Sequence, residues 1–332
     1  MKAMVLAGQA PIGGSPLKLR DVPAPEPGPG EVRVRVRACG LCRTDLHVIE
    51  GDLPPRRLPL IPGHQIVGVV DRIGPSAQRF KEGDRIGIAW LRHTCGECRY
   101  CRAGLENLCE GARFTGYHED GGYADQATVP EAYAYKIPEI FTDTEATPLL
   151  CAGIIGYRAL ERTDVPRGGK LGIWGFGSSA HVTIQVALAR GCTVFVATRG
   201  EKHQALAREM GAKWVGPAAE PFPERVDGGI LFAPVGDLVP VALRSIEKGG
   251  TLAIAGIHLS RIPSIDYERE LFYERNLRSV TANTRADGEE LLREAAAIPL
   301  RPRVTPFPLE DANRGLQLLK SDQLSGTGVL AL

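Results

Sequence analysis

Two sets of cysteine and histidine could bind metal. Cys95, Cys98, Cys101 and Cys109 read C-x-x-C-x-x-C, then seven residues, then the fourth cysteine. Spacers this short let the chain wrap one ion, and four thiolates fill the tetrahedral shell of Zn2+. With no coordination position left for substrate, this cluster is expected to be structural. The second set, Cys42, His64 and Cys151, is dispersed along the chain. One imidazole and two thiolates leave the fourth position of a tetrahedral ion open, as a catalytic zinc requires. From spacing alone this set stays open, because an isolated His or Cys is more often a packed core residue. Cys39 and Cys192 carry no motif and are read as core.

A third pattern concerns phosphate. Gly175-Phe176-Gly177-Ser178-Ser179-Ala180 matches G-x-G-x-x-[GA] between an apolar strand and a helix. The first glycine permits a tight turn and the second lets the backbone approach a pyrophosphate. Ala180 lets helix and strand pack closely. The helix N-terminus adds N–H donors and a positive dipole. An ordinary glycine turn is the plain alternative, and the strand–turn–helix context favours a dinucleotide. About twenty residues on, where an acid would accept from a ribose 2′-hydroxyl, the chain has Ala197-Thr198-Arg199-Gly200,. Without a carboxylate there, and with Arg199 able to pair a 2′-phosphate, NADP(H) is favoured and NAD(H) stays open. Arg199 could equally stack on adenine or be solvated.

These residues need a frame. A chain of 332 residues fits two domains, and 43% hydrophobic with 24% charged residues is a globular composition,. The net charge of +1 gives no electrostatic footprint for nucleic acid or an anionic membrane,. No apolar run is long enough to span a bilayer and the N-terminus lacks signal-peptide anatomy, so a cytoplasmic protein is expected. In that reducing compartment clustered cysteines are metal ligands sooner than disulfides. Val32 to Arg37 alternates valine and arginine, the signature of a strand with one buried face,. Ile66–Ile73 and Arg85–Trp90 read as further strands, giving an all-β, barrel-like half interrupted by the cysteine lobe. From about Gly153 the texture becomes β/α: strands at Lys170–Trp174, Thr193–Ala197, Ile230–Ala233 and Thr251–Ala255, helices at Ser179–Arg190 and Glu201–Met210. Such alternation predicts a parallel sheet with crossover helices. A helix near Leu309–Leu319 and a strand at Thr327–Leu330 close the chain.

Taken together, Cys42-Arg43-Thr44-Asp45-Leu46-His47, Gly63-His64-Gln65, the four-cysteine lobe, Cys151-Ala152-Gly153 and Gly175-Phe176-Gly177 resemble the zinc-dependent alcohol dehydrogenases of the medium-chain dehydrogenase/reductase superfamily along nearly the whole chain. The resemblance implies an α/β plus β fold: a GroES-like β-barrel catalytic domain over residues 1–152 with a structural zinc lobe, and a Rossmann doubly wound parallel sheet over 153–281. Residues 282–332 would rejoin the first domain. It implies two Zn2+ per chain, one on Cys42, His64 and Cys151, the other on the lobe cysteines. Asp45 would fix the tautomer of His64. Thr44 would bond the substrate hydroxyl and start a proton relay through the cofactor ribose to His47. Arg43, Gly175, Gly177, Ala180, Thr198 and Arg199 would meet the cofactor, and Leu53 and Trp90 would line the substrate pocket. The activity implied is reversible hydride transfer between an alcohol, expected to be primary, and NAD(P), giving aldehyde or ketone. A homotetramer, or a dimer, is the assembly implied.

Two residues depart from the family pattern. Gln65 stands where a glutamate usually follows the ligand histidine, leaving the zinc more electrophilic. Thr327 stands where an arginine often meets the pyrophosphate. Rival readings have less support. A polyol dehydrogenase would need a more polar pocket than Trp90 and Leu53 offer. A zinc-free quinone-reductase-like relative would lack the Cys42/His64/Cys151 set. A zinc-ribbon nucleic-acid module fits neither the neutral charge nor the dinucleotide turn.

Overall fold

The computed structural model describes residues 1–324 and 326–332. Two compact units emerge. One comprises Met1–Cys151, Ala282–Arg293 and Arg301–Leu332, and the other Ala152–Thr281 and Glu294–Leu300.

The first unit is built on a seven-stranded sheet. Its order is Val304–Phe307, Thr327–Ala331, Glu31–Gly40, Ile66–Ile73, Arg85–Ile88, Ala134–Lys136, with Gln126–Pro130 also pairing to Glu31–Gly40. The period-two reading of the long strand holds: Val32, Val34 and Val36 are buried, Arg35 and Arg37 exposed. One edge of that strand pairs with Ile66–Ile73. Its other edge is shared, residues 31–35 taking Gln126–Pro130 and residues 38–40 taking Thr327–Ala331. The pairing is thus an open ladder, with no closing pair among the described residues. A hairpin of Lys2–Leu6 against Leu17–Asp21 packs its Met4, Leu6 and Leu17 into the same core, a pairing the sequence reading passed over.

The second unit holds a six-stranded, wholly parallel sheet. Its order is Trp214–Gly216, Thr193–Ala197, Lys170–Trp174, Val226–Leu231, Ile246–Ile254, Asn276–Ser279. In sequence terms this is 3-2-1-4-5-6, the doubly wound Rossmann order, which reverses beside Lys170–Trp174. Crossover helices follow the first two strands at Ser178–Ala189 and Glu201–Glu209. The two edge strands are short, three residues at Trp214–Gly216 and a mixed Asn276–Ser279, so they gave no apolar run to read. Gly228 and Gly229 masked the start of the fourth strand in the same way. Trp174 is fully buried, its ring 4.7 Å from Phe222. No described helix is long and apolar enough to cross a membrane, and all eight cysteines are free thiols.

Candidate active site

The cysteine lobe lies between the Leu91–His93 and Arg113–Phe114 strands. Its chain turns through the short Arg99–Arg102 helix, which Cys98 caps with its sulfur. Cys98–Cys101 and Cys95–Cys109 are 3.5 Å apart at sulfur, and Cys95–Cys101 3.9 Å. A tetrahedron with Zn–S bonds of about 2.3 Å has edges of about 3.8 Å, so the four sulfurs fit one zinc. Backbone N–H groups of Cys95, Cys98 and Cys101 already point at sulfurs from 3.4 to 3.5 Å. The N–H groups of Glu97 and Cys98 bring the Cys95 thiol down to about 7, whereas burial pushes Cys109 up to about 11. The lobe is anchored at Glu106, which takes a bidentate bond from Arg285 with Nη2 at 2.7 Å. Burial opposes the charge of Glu106, but Arg285 outweighs it and holds the carboxyl below its ordinary value.

Cys42, His64 and Cys151 also converge. The sulfurs of Cys42 and Cys151 are 3.8 Å apart, and His64 Nε2 is 3.3 Å from Cys151 Sγ. All three donor atoms lie within 4.8 Å of one another. Local sequence explains much of this. Cys42 is the N-cap of the Arg43–Glu50 helix and accepts from Thr44 N, while Asp45 three residues on returns a bond to Cys42 N at 2.9 Å. This is the reciprocal geometry of a capping box. The same carboxylate reaches His64 Nδ1 at 2.9 Å through its other oxygen. An ionised carboxylate only accepts, so Nδ1 donates and Nε2 faces the sulfurs. His64 and Asp45 are 0% and 1% exposed. Burial opposes a charged imidazole, yet Asp45 and Cys42 prevail and raise His64 to about 10 in the metal-free protein. The bond from Cys151 lowers Cys42 well below an ordinary thiol, and the same bond raises Cys151. With neutral imidazole and two thiolates the donor set suits zinc and leaves one tetrahedral position open.

Around this cluster stand several of the other expected residues. Thr44 Oγ1 is 3.6 Å from Cys42 Sγ. His47 Nδ1 meets Asp52 Oδ2 at 2.8 Å, so its Nε2 is left for another partner,. Trp90 stands edge-on to His64 at 5.0 Å and stacks on Phe114 at 4.9 Å. It packs with Leu53, Val48, Leu60 and Tyr117 into an apolar cluster. Gln65 is buried, its carboxamide occupying the space a Cβ on Gly40 would need. Thr327 is buried in its strand and bonded through its N–H to Arg303 O. Arg43 is exposed and directed at Leu319 O and Asp322.

The dinucleotide residues lie in the second unit. Gly175 ends the Lys170–Trp174 strand with φ of 89°, and a Cβ there would stand 2.8 Å from Ala233 N. Gly177 caps the Ser178–Ala189 helix, and a Cβ on it would enter open space. The outer side of Gly177 thus has room for another group to approach the backbone,. Ala180 is fully buried. The fit to a pyrophosphate rests on that cradle and the N-terminus of the helix. Thr198 is buried and its carbonyl accepts from Gln204 Nε2 at 3.0 Å, while Arg199 is exposed.

Sequence reasoning missed Tyr123, whose hydroxyl reaches Asp45, and Asp52 on His47. It also missed Phe114 and Tyr117 in the aromatic wall, and the Glu106–Arg285 anchor, 179 residues apart. None belongs to a local motif. Gly121-Gly122 before Tyr123 was the single cue, a tight approach of backbone to the Gly63 segment.

The family model for the alcohol dehydrogenase GroES-like domain matches residues 28–139, and that for zinc-binding dehydrogenase matches residues 180–297. A probable alcohol dehydrogenase of Mycobacterium tuberculosis is 52% identical over 300 residues, covering 89% of this chain and 87% of its own. Among solved structures, an NAD-dependent alcohol dehydrogenase superposes with a TM-score of 0.90 at 26% identity, covering all of both chains. A cobalt- and zinc-bound thermostable alcohol dehydrogenase from Pyrobaculum aerophilum gives the same score and identity over 100% of this chain and 99% of that one. With two zinc-type donor sets, a Rossmann sheet and a relative sharing half its residues, the chain belongs to the zinc-binding alcohol dehydrogenases of the medium-chain dehydrogenase/reductase superfamily.

Proposed function

We propose that this oxidoreductase interconverts a small alcohol, primary in preference, and its aldehyde or ketone by reversible hydride exchange with a nicotinamide dinucleotide. The observation that carries this reading is the buried convergence of His64 Nε2 with the Cys42 and Cys151 sulfurs, three donors that leave a fourth position open,. Zinc held there would supply Lewis acidity toward an alcohol or carbonyl oxygen. Asp45 keeps the proton of His64 on Nδ1, so Nε2 stays a donor to metal. Thr44 Oγ1 holds the proton of the substrate hydroxyl. His47, with Asp52 on its Nδ1, would present Nε2 as the proton acceptor at the solvent end of the relay, a task suited to an imidazole,. Trp90 and Leu53 present apolar surface to the substrate carbon chain and exclude water. In this reading residues 1–152 and 282–332 form the catalytic domain, residues 153–281 bind the dinucleotide, and the lobe cysteines hold a second, structural zinc.

For the cofactor, Gly175, Gly177 and Ala180 shape the pyrophosphate turn and Arg43 supplies positive charge. The exposed Arg199, with no carboxylate from Ala197 to Gly200, supports NADP(H) over NAD(H). The protein is read as a cytoplasmic homotetramer, or a dimer. Metal analysis of the purified chain should return two zincs. A panel of primary, secondary and aromatic alcohols, followed by appearance of reduced nicotinamide, should show turnover that a zinc chelator abolishes. Chelator-resistant turnover would refute the zinc assignment. Comparing kcat/KM for NADP and NAD with one alcohol decides the cofactor, a strong preference for NAD refuting the role of Arg199.

A further inference from the structure

Asp45 makes three hydrogen bonds although it is almost wholly buried. Oδ1 accepts from His64 Nδ1, and Oδ2 accepts both the Cys42 N–H and the hydroxyl of Tyr123, each at 2.9 Å. The first two donors lie on or beside the metal set itself. The third comes from a separate segment, which is itself firmly held. Tyr123 N donates to Pro62 O at 3.0 Å, and its carbonyl accepts from Met4 N at 2.8 Å. Its ring fills the space beside Gly63, where a Cβ would lie 2.4 Å from Cδ1. Gly63, with φ of 98°, is the residue that delivers the chain into His64. Tyr123 is fully buried, so no solvent competes for its hydroxyl.

Resting on the metal reading of Cys42, His64 and Cys151, we propose that Tyr123 is a positioning residue for that set: its hydroxyl pins Asp45 in the orientation that aims His64 Nε2 at the ion. A carboxylate turns about its terminal torsion with little resistance. Two donors from different segments on Oδ2 remove that freedom and leave Oδ1 directed at the histidine ring. Groups that orient a metal-bound histidine in this way hold the ion as well as aim it. Tyr123 touches neither metal donor atom nor substrate, so its contribution reads out in metal retention before it reads out in chemistry.

The test follows zinc leaving the intact, zinc-loaded protein into excess chelating dye. Wild type should release two zincs in separable phases, and Cys42→Ser should remove one phase, which identifies the buried set. Tyr123→Phe keeps the ring and its packing against Gly63. It should speed that phase by about 10-fold and leave the lobe phase unchanged. Asp45→Asn, which disturbs the carboxylate directly, should speed the same phase further. A general loosening of the fold would speed both phases together, and that result overturns the proposal, as does an unchanged rate for both. A Cys42→Ser chain that still releases two zincs overturns the metal reading and the proposal with it. That failure is seen without any Tyr123 variant, so the two are distinguishable.

Discussion

The lobe cysteines and the Cys42/His64/Cys151 set lie in the same unit of the chain, yet they are held by opposite means. The lobe gathers four sulfurs across 14 residues, with Cys95 exposed and its own backbone N–H groups directed at the sulfurs. The other set brings Cys151 to Cys42 across 109 residues and buries its histidine completely. Its orientation comes from side chains, Asp45 on His64 and Tyr123 on Asp45, more than from the local turn. A site that must stay closed can be written into a short loop, because four donors saturate the ion wherever it sits. A site that must keep one position open needs its three donors fixed from outside, since nothing on the fourth side restrains them.

The largest effect separating the two sets should come from their ligands. Cys42→Ser or His64→Ala should lower alcohol turnover by at least ~1,000-fold, about 4 kcal/mol of barrier. Either should leave dinucleotide binding intact and one zinc on the chain. Turnover within tenfold of wild type would end the division of labour. Next, Cys98→Ser or Cys101→Ser in the lobe should cost about 3 kcal/mol, read as a fall in Tm of roughly 10 °C. In those variants kcat per folded molecule should not change, and a fall in kcat at constant Tm would invert the assignment.

Protons sharpen the contrast. His64 in the metal-free protein is raised to about 10, so at neutral pH zinc must displace a proton from it. Zinc affinity of the buried set should therefore climb as pH rises, by up to about tenfold per unit for that proton, with the raised Cys151 thiol adding to the slope,. The linked stability has the opposite sign. A raised histidine contributes fully below its ordinary value near ~6.5 and loses that contribution as pH rises through its folded value. Metal-free protein should thus weaken on the same titration that strengthens zinc binding. Competitive zinc titrations at two pH values check the first, and chemical denaturation of the chelated protein the second; a flat response in both would refute the raised histidine.

The smallest effect concerns the lobe's anchor. Arg285→Ala removes the guanidinium from Glu106, a carboxylate 8% exposed, leaving it the backbone N–H of residue 285, and should cost about 2 kcal/mol in denaturant titrations without altering turnover,. Because Arg285 holds that carboxyl below its ordinary value, the anchor works above that value and fails as pH falls toward the folded one,. Wild type should consequently lose its advantage over the variant in acid. An advantage that persisted there would show that Arg285 acts through packing, its guanidinium lying 4.7 Å over the Tyr133 ring.

Legibility in the sequence followed the range of the interaction. The strand Glu31–Gly40 was visible because valine and arginine alternate along it, and Lys170–Trp174 because its apolar run ends in Gly175. The edge strands Trp214–Gly216 and Asn276–Ser279 were not, since three or four residues are too few to show a period. Asp45 was reached through family resemblance, although its spacing from Cys42 also makes a local capping box. Tyr123 had only the Gly121-Gly122 cue before it, because no spacing relates it to a carboxylate 78 residues away.

By itself, then, the sequence determined the things that short stretches decide. These are a four-thiolate loop, a glycine turn between strand and helix, the alternation that builds each sheet, and a cap that joins Cys42 to Asp45. Tertiary structure decided which distant residues share one small volume. It set Cys151 and His64 beside Cys42, aimed the imidazole by placing a carboxylate behind it, braced that carboxylate with Tyr123, and tied the lobe to Arg285. Local geometry is fixed by bonds along the chain, which spacing records. The orientation of a buried donor is fixed by neighbours that packing alone brings together.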